Sequence, residues 1–364
     1  MARVLFTGVG GRIADVLTQA GIPTDLFSVD GQQVILSGEA GQEGPSQYVL
    51  ANDGLPEFNA NPSIENMNAV IKTLNSNNST AVNSGFHAST WSSKLSDSLA
   101  KHKSLKKELD KTVVTTPFPT HGKISNEFEL ITRVMQTREA RGSKRDIFFV
   151  QDNGYDTHCE CLLIVDCGFV CYATLSRHSC FRVLHLSLLA NVDERLTTKF
   201  SQMNGVIQAF VDELKFLKLW ESTVVVQFSE FGRTLNPNTG DGSDHAWGGH
   251  HFMFGGSVNG GHVLGLYPSD FEQGDDAGLV LNRGRMIPTT PWDAMWKGTA
   301  EWFGIPAAGP EMDKVLPIHK NFPQEMLYNQ TMLFNLPSSI SSSSSKTRPF
   351  QVETRKFQEE ELFH

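Results

Sequence analysis

The chain lacks a long apolar run, an excess of basic residues and, outside one short segment, any cysteine. No stretch of its 364 residues approaches the roughly 20 apolar residues of a membrane-spanning helix, and its start lacks the basic and apolar pattern of a signal peptide, so we expect no membrane anchor. The 31 Lys and Arg are outnumbered by 40 Asp and Glu, which argues against nucleic acid as a partner, because nucleic-acid surfaces cluster basic residues. With 39% hydrophobic residues, the chain can bury a full globular core.

All the cysteines lie close together, which is unusual for a chain of this length. They are Cys159, Cys161, Cys167, Cys171 and Cys180. Their spacing fits neither a disulfide framework nor the repeated C-x2-C pairs of structural zinc sites. We interpret residues 159–189 as an atypical insertion. Three interpretations of it are possible: a buried β-hairpin, a genuine insertion that covers a site, or translated non-coding sequence such as a retained intron.

Glycines near the start suggest a dinucleotide-binding turn, but the match is incomplete. The pattern Gly8-x-Gly10-x-x-Ile13 opens a helical segment and lacks the third glycine of the dinucleotide-binding fingerprint. We therefore favour a plain helix N-terminus, with a cofactor site as the alternative.

From about residue 126 onward, helices and strands alternate in the pattern of an α/β protein. A helix is predicted over 126–140 and a continuous apolar strand over 146–150, followed by a long helix over 193–219 and a second strand over 223–228. These elements predict a mostly parallel central sheet covered by helices. The long helix carries an apolar stripe expected to face the core, formed by Leu196, Phe200, Met203, Ile207, Phe210, Leu214 and Leu217.

Polar side chains follow both predicted strands, and a glycine-rich loop adds more. They are Asp156 and His158 after the first strand, Glu230 and Arg233 after the second, and Asp244, His245 and His250 in the loop. Active sites of such folds gather at strand ends, and carboxylate with neutral imidazole is a ligand set for zinc, manganese or iron. Such a metal can activate water and stabilise a phosphoryl or sulfuryl group, while Arg233 could bind an anionic oxygen. The simpler alternative is that these residues are loop caps and surface polar groups.

Several of these segments occur in order as blocks that resemble one family. The blocks are GVGGRIADVL, FFVQDNGYDTH, VVVQFSEFGRT, SDHAWGGHH, FGGSVNGGHVLGLYP and NRGRMIPTTPWDAMWKGTAEWFGI. They are similar to an uncharacterised sulfatase-like family, domain-of-unknown-function family 1501, grouped with the alkaline phosphatase superfamily. The resemblance covers most of residues 8–320 and implies one α/β domain over 1–320 with a paired-metal site. It implies Asp156, His158, Asp244, His245 and His250 as ligands of a divalent metal, Glu230 and Arg233 beside them, and a small anionic phosphate or sulfate ester as substrate.

The chain departs from that family at both ends. The family domain normally begins with a strand and an acidic ligand upstream of the GVGGRIADVL block, so we expect this copy to lack its N-terminal part. Residues 335–364 are serine-rich and then charged, which predicts a disordered tail. The alternative function is therefore a catalytically incomplete relic, or a non-enzymatic binding protein that retains the fold.

Overall fold

The computed structural model describes residues 7–39, 44–51, 95, 97–120, 122–155, 192–239, 242–268, 270–272 and 278–335. The helices among them are α1 (Val9–Gln19), α2 (97–109), α3 (Lys123–Gln136), α4 (Arg138–Arg141), α5 (Val192–Phe216), α6 (Trp292–Phe303), α7 (Pro310–Val315) and α8 (Gln330–Leu333). The strands are β1 (Thr24–Ser28), β2 (Gln47–Val49), β3 (Arg145–Phe149), β4 (Val224–Gln227), β5 (Gly232–Arg233), β6 (His245–Ala246), β7 (Phe252–Gly255), β8 (Val280–Leu281) and β9 (Arg285–Met286). The predicted insertion at 159–189 and the tail beyond Asn335 lie outside the described residues.

The centre of the fold is a three-stranded parallel sheet in the order β2-β1-β3. Phe27 of β1 lies opposite Tyr48 of β2 and Phe148 of β3, and its ring stacks on theirs at 5.0 and 5.1 Å. Because the three aromatic rings share one face of the sheet, they anchor the largest hydrophobic core, to which α2, α3 and α5 contribute. A small parallel sheet is therefore present, although β3 is the only one of its three strands whose bounds were predicted.

Helix α1 packs on the sheet, and its glycines have a packing reason. A side chain at Gly8 would overlap the backbone of Ile35, and one at Gly11 would overlap the backbone of Ser37. Glycine therefore lets the helix approach the segment before β2 closely. This close approach gives Gly8 and Gly11 a packing role.

The predicted stripe of α5 faces the core only in its second half. Phe210 and Leu214 are buried there, whereas Phe200 is 57% exposed and its ring lies 5.9 Å from Tyr155. The first turns of α5 thus contact the loop that follows β3 rather than the core. The helix predicted over 126–140 begins earlier, at Lys123, and is interrupted at Thr137, after which α4 begins at Arg138.

The second half of the chain is built differently from the first. Strand β4 pairs with β7 in antiparallel fashion, so the parallel pairing predicted for this strand is wrong. Helix α6 buries Trp296, while Trp292 remains 43% exposed. The fold is therefore mixed α/β with a small parallel sheet. No helix among the described residues is long and apolar enough to cross a membrane.

Candidate functional site

The loop that follows β3 is held in place by hydrogen bonds from two sides. Lys199 Nζ of α5 donates to Asp152 Oδ1 at 2.7 Å, and Tyr155 Oη donates to Asp152 Oδ2 at 2.8 Å. The Lys199 ammonium also lies 5.2 Å from the centroid of the Tyr155 ring, a cation-π contact. The loop leaves the sheet at its carboxyl edge and leads toward Asp156 and His158, which lie outside the described residues.

The hairpin of β5 and β6 brings three of the predicted site residues together. Arg233 lies directly opposite His245 in the antiparallel pairing, and Asp244 precedes His245. The backbone of Thr234 donates to the Asp244 carbonyl at 2.9 Å, and the Thr234 hydroxyl accepts from the Asp244 backbone N–H at 3.0 Å. Two separate parts of the sequence therefore meet on one small, hydrogen-bonded element.

Arg233 points its guanidinium at its own hairpin. Its Nε donates to Ser243 Oγ at 3.0 Å, and its Nη2 donates to the Ser243 carbonyl. These bonds hold the half-buried side chain in one orientation against the hairpin. Glu230 is exposed in the turn between β4 and β5.

Asp244 is an ion-pair partner in this structure. Its Oδ1 accepts from Asn238 Nδ2 at 2.9 Å, and its Oδ2 accepts from Arg283 Nη2. Arg283 has a φ of 68°, a left-handed conformation that is uncommon outside glycine, in the turn between β8 and β9. The β8–β9 turn thus supplies a positive charge to the carboxylate predicted as a metal ligand.

Three histidines line the segment from β6 to β7, each against an aromatic ring. His245 stacks on Phe231 at 3.8 Å, His250 lies 5.2 Å from Tyr267, and His251 lies 5.3 Å from Trp292. Partial burial, with a smaller contribution from His250, lowers the pKa of His251. A lowered pKa keeps the imidazole neutral at neutral pH, which is the form that binds metals.

His251 was not predicted as a site residue although it adjoins His250. The signal was available in the His250-His251 pair, but nothing in the sequence indicates which of the two imidazoles packs on Trp292. Asp152 and Lys199 were also not predicted, because their contact joins residues far apart along the chain.

The described residues contain no group of three or more His, Cys, Asp or Glu that could hold one metal ion. Arg233, Asp244 and His245 are brought together on the hairpin, and His250 follows on the way to β7. Because Asp156 and His158 lie outside the described part of the chain, the predicted five-ligand set is not tested by this geometry.

A family model described as protein of unknown function (DUF1501) matches residues 36–277, more than half of the chain. The chain belongs to that family. The predicted kinship with sulfatases and the alkaline phosphatase superfamily is wrong, because the matching family is described only as one of unknown function and nothing links it to either group. No curated protein and no solved structure matches the chain.

Proposed function

We propose that the protein is a metal-dependent hydrolase of small phosphate or sulfate esters. The observation that carries the proposal is the β5–β6 hairpin, where Asp244, His245 and Arg233 occupy adjacent or opposite positions. A carboxylate, an imidazole and a guanidinium on one element combine possible metal ligands with a possible binding group for an anionic ester.

Five residues would hold the metal in this proposal. Asp156 and His158 would contribute from the loop after β3, and Asp244, His245 and His250 from the segment between β5 and β7. Oxygen and imidazole donors suit zinc, manganese or iron. The bound metal would polarise the ester and lower the pKa of a water molecule. His251, whose lowered pKa keeps its imidazole neutral, would be an additional donor.

Arg233 and Glu230 would act on the substrate. The bonds from Arg233 to Ser243 hold its guanidinium in one orientation, so that less side-chain entropy is lost when it binds an ester oxygen. The exposed Glu230 lies three residues before Arg233 and could exchange a proton with the leaving group or the attacking water.

A specific contact favours a second candidate function, a binding protein or relic without catalysis. Both oxygens of Asp244 accept hydrogen bonds, one from Asn238 and one from Arg283. A carboxylate neutralised by an arginine is a poorer metal ligand, because the metal must compete with the ion pair. In that case the hairpin would be a structural element whose Arg233 binds an anion.

Metal content measured by mass spectrometry on the purified full chain separates the two. We expect near-stoichiometric zinc, manganese or iron in the wild type and its loss in an Asp244→Ala, His245→Ala double variant. The matched control is Asp212→Ala with His262→Ala, which removes one exposed Asp and one exposed His elsewhere and should leave the metal in place. A folded wild type without any of these metals rejects the hydrolase and favours the binding protein.

A further inference from the structure

Helix α3 carries a fully buried carboxylate that is linked through Lys123 to Asp30, the residue that follows β1 closely at the carboxyl edge of the parallel sheet. Glu127 of α3 is 0% exposed, and neither of its carboxylate oxygens has a hydrogen-bond partner among the described residues. Buried polar groups are nearly always satisfied, so an exception of this kind calls for an explanation such as an ion or a chemical role. The metal proposed above does not involve Glu127.

A lysine links Glu127 to a second carboxylate. Lys123 Nζ lies 2.6 Å from Asp30 Oδ1 and 3.5 Å from Glu127 Oε1. The lysine side chain is 43% exposed, whereas Glu127 is fully enclosed, so the ammonium reaches inward from the surface. The Lys123 ammonium therefore lies between two carboxylates. It is hydrogen-bonded to Asp30 and makes a longer contact with Glu127.

The topology of the sheet accounts for the positions of Asp30 and of a further acid, Asp152. Asp30 lies just after β1 and Asp152 just after β3, and these strands are parallel neighbours, so both residues are at the same edge. The carboxyl edge of parallel strands is where ligands bind in α/β folds. Asp152 is already bonded to Lys199 and Tyr155, which leaves Asp30 and Glu127 sharing Lys123.

The charges around Glu127 disfavour its ionised form. Burial raises the pKa of Glu127 to about 7, Lys123 opposes that rise, and Asp30 and Asp152 add to it. The charged groups that act on Glu127 are thus Lys123 on its own helix, Asp30 after β1 and Asp152 after β3, with Lys199 of α5 paired to Asp152. Glu127 exchanges its proton near neutral pH and, once ionised, leaves more negative than positive charge at this edge.

We propose that Asp30 and Glu127 bind a hard divalent cation of the magnesium class at the position that the Lys123 ammonium now holds between them. Magnesium is typically bound by one or two carboxylates with water filling the remaining positions, so a two-carboxylate site is sufficient. The described residues hold no group of three such ligands around one point, so water would have to fill the remaining positions around the cation. Binding releases the proton of Glu127 and displaces Lys123 toward solvent.

Calorimetric titration of the full-length protein with MgCl2 tests the site. At about pH 9, where Glu127 is ionised, we expect binding by the wild type, which weakens by at least about tenfold at about pH 6 because the proton competes with the cation. Glu127→Gln and Asp30→Asn should each abolish it. Lys123→Met should strengthen it at about pH 9, because the competing ammonium is gone; a simple structural ion pair would not give that gain.

The control variant is Glu129→Gln, which removes a carboxylate from the same helix and should leave Mg2+ binding unchanged. The Asp244→Ala, His245→Ala variant should also retain it, so that failure of the hydrolase proposal and failure of this one give different results. No Mg2+ binding by the wild type at about pH 9, or binding that persists in both Glu127→Gln and Asp30→Asn, would overturn the proposal. Circular dichroism melts establish that each variant is folded.

Discussion

Ion pairs of aspartate with arginine differ between two regions: the sheet layer, which consists of β1 to β3 with the helices α2 to α5, and the hairpin of β5 and β6. In the sheet layer, Arg141 pairs with Asp25 and Asp146, and its side chain is only 8% exposed. Asp244 of the hairpin pairs with Arg283 of the β8–β9 turn, and 51% of the Arg283 side chain is exposed. Water screens the second pair and is largely excluded from the first. Breaking the pairs of Arg141 should therefore lower the free energy of unfolding more than breaking the pair of Arg283 with Asp244.

A second contrast lies within the sheet layer, between two glutamates on helices that pack together. Glu127 and Glu213 are both 0% exposed. Among the described residues Glu127 has no hydrogen-bond partner and only a 3.5 Å ion-pair contact with Lys123, whereas Glu213 accepts from the backbone N–H groups of Thr115 and Thr116 and from the Thr115 hydroxyl. Burial raises the pKa of both, but these hydrogen bonds outweigh burial at Glu213, and its pKa is lowered. The hydrogen bonds, rather than burial alone, decide which buried acid is charged.

Removing Arg141 should have the largest effect. Arg141→Met leaves Asp25 and Asp146 side by side without their cation, and it also removes the contact of the guanidinium with the Phe27 ring at 4.8 Å. We expect the free energy of unfolding to fall by about 3 kcal/mol, measured by urea denaturation at neutral pH. Arg138→Met, at an exposed pair on the same short helix, is the control and should change it by under about 0.5 kcal/mol. Equal effects would show that burial does not separate the two pairs.

Glu213→Gln should have the next largest effect on the free energy of unfolding. The backbone N–H groups that donate to the Glu213 carboxylate would meet an amide NH2, which cannot accept hydrogen bonds. We therefore expect the free energy of unfolding to fall by about 2 kcal/mol at neutral pH. A carboxyl group with a lowered folded-state pKa stabilises the protein above its unfolded pKa, and that contribution disappears as the pH falls. The difference between variant and wild type should therefore shrink in acid. A difference that stays constant with pH would mean that Glu213 is not charged in the folded state.

Glu127→Gln should raise the free energy of unfolding, and the difference from the wild type should grow with rising pH. The sign is opposite to that expected for Glu213→Gln. With its pKa raised to about 7, Glu127 holds its proton more tightly in the folded than in the unfolded state. The protonated Glu127 therefore stabilises the folded wild type in acid, and this stabilisation is lost as the pH rises through the interval up to about 7. In magnesium-free buffer, the variant should match the wild type in acid and exceed its stability by about 2 kcal/mol at about pH 8. Glu129→Gln should show no such gain, and a destabilised Glu127→Gln variant would contradict the assignment.

Periodicity and strand-end polarity predicted much of the sheet layer. The helices α3 and α5 and the strand β3 were recognisable because each is long or strongly apolar. The sequence did not indicate that β4 pairs with β7 in antiparallel fashion, since the apolar pattern of a four-residue strand does not depend on the direction of the neighbouring strand. Phe200 was placed in the core because spacing cannot show that the first turns of α5 meet a loop.

The candidate site was predictable only as a set of residue types. The sequence places Asp244 and His245 side by side, but the pairing of Asp244 with Arg283 depends on a contact across 39 residues. Glu127 gave no signal, because a glutamate in a helix is ordinary until its neighbours are known. Long-range contacts thus determine which of the acids are charged, paired or available to a ligand.

The smallest expected effect is that of Arg283→Met, which removes the cation beside Asp244. Because the pair is exposed, the free energy of unfolding should change by under about 1 kcal/mol, in contrast to Arg141→Met. If Asp244 binds a metal, loss of its competitor should leave affinity for zinc or manganese equal or higher, as measured by competition with a chelating dye. If the ion pair is instead what orients Asp244 for the metal, affinity should fall, and Arg283→Lys should restore it. A large loss of stability would place the hairpin with the sheet layer and remove the distinction between the two regions.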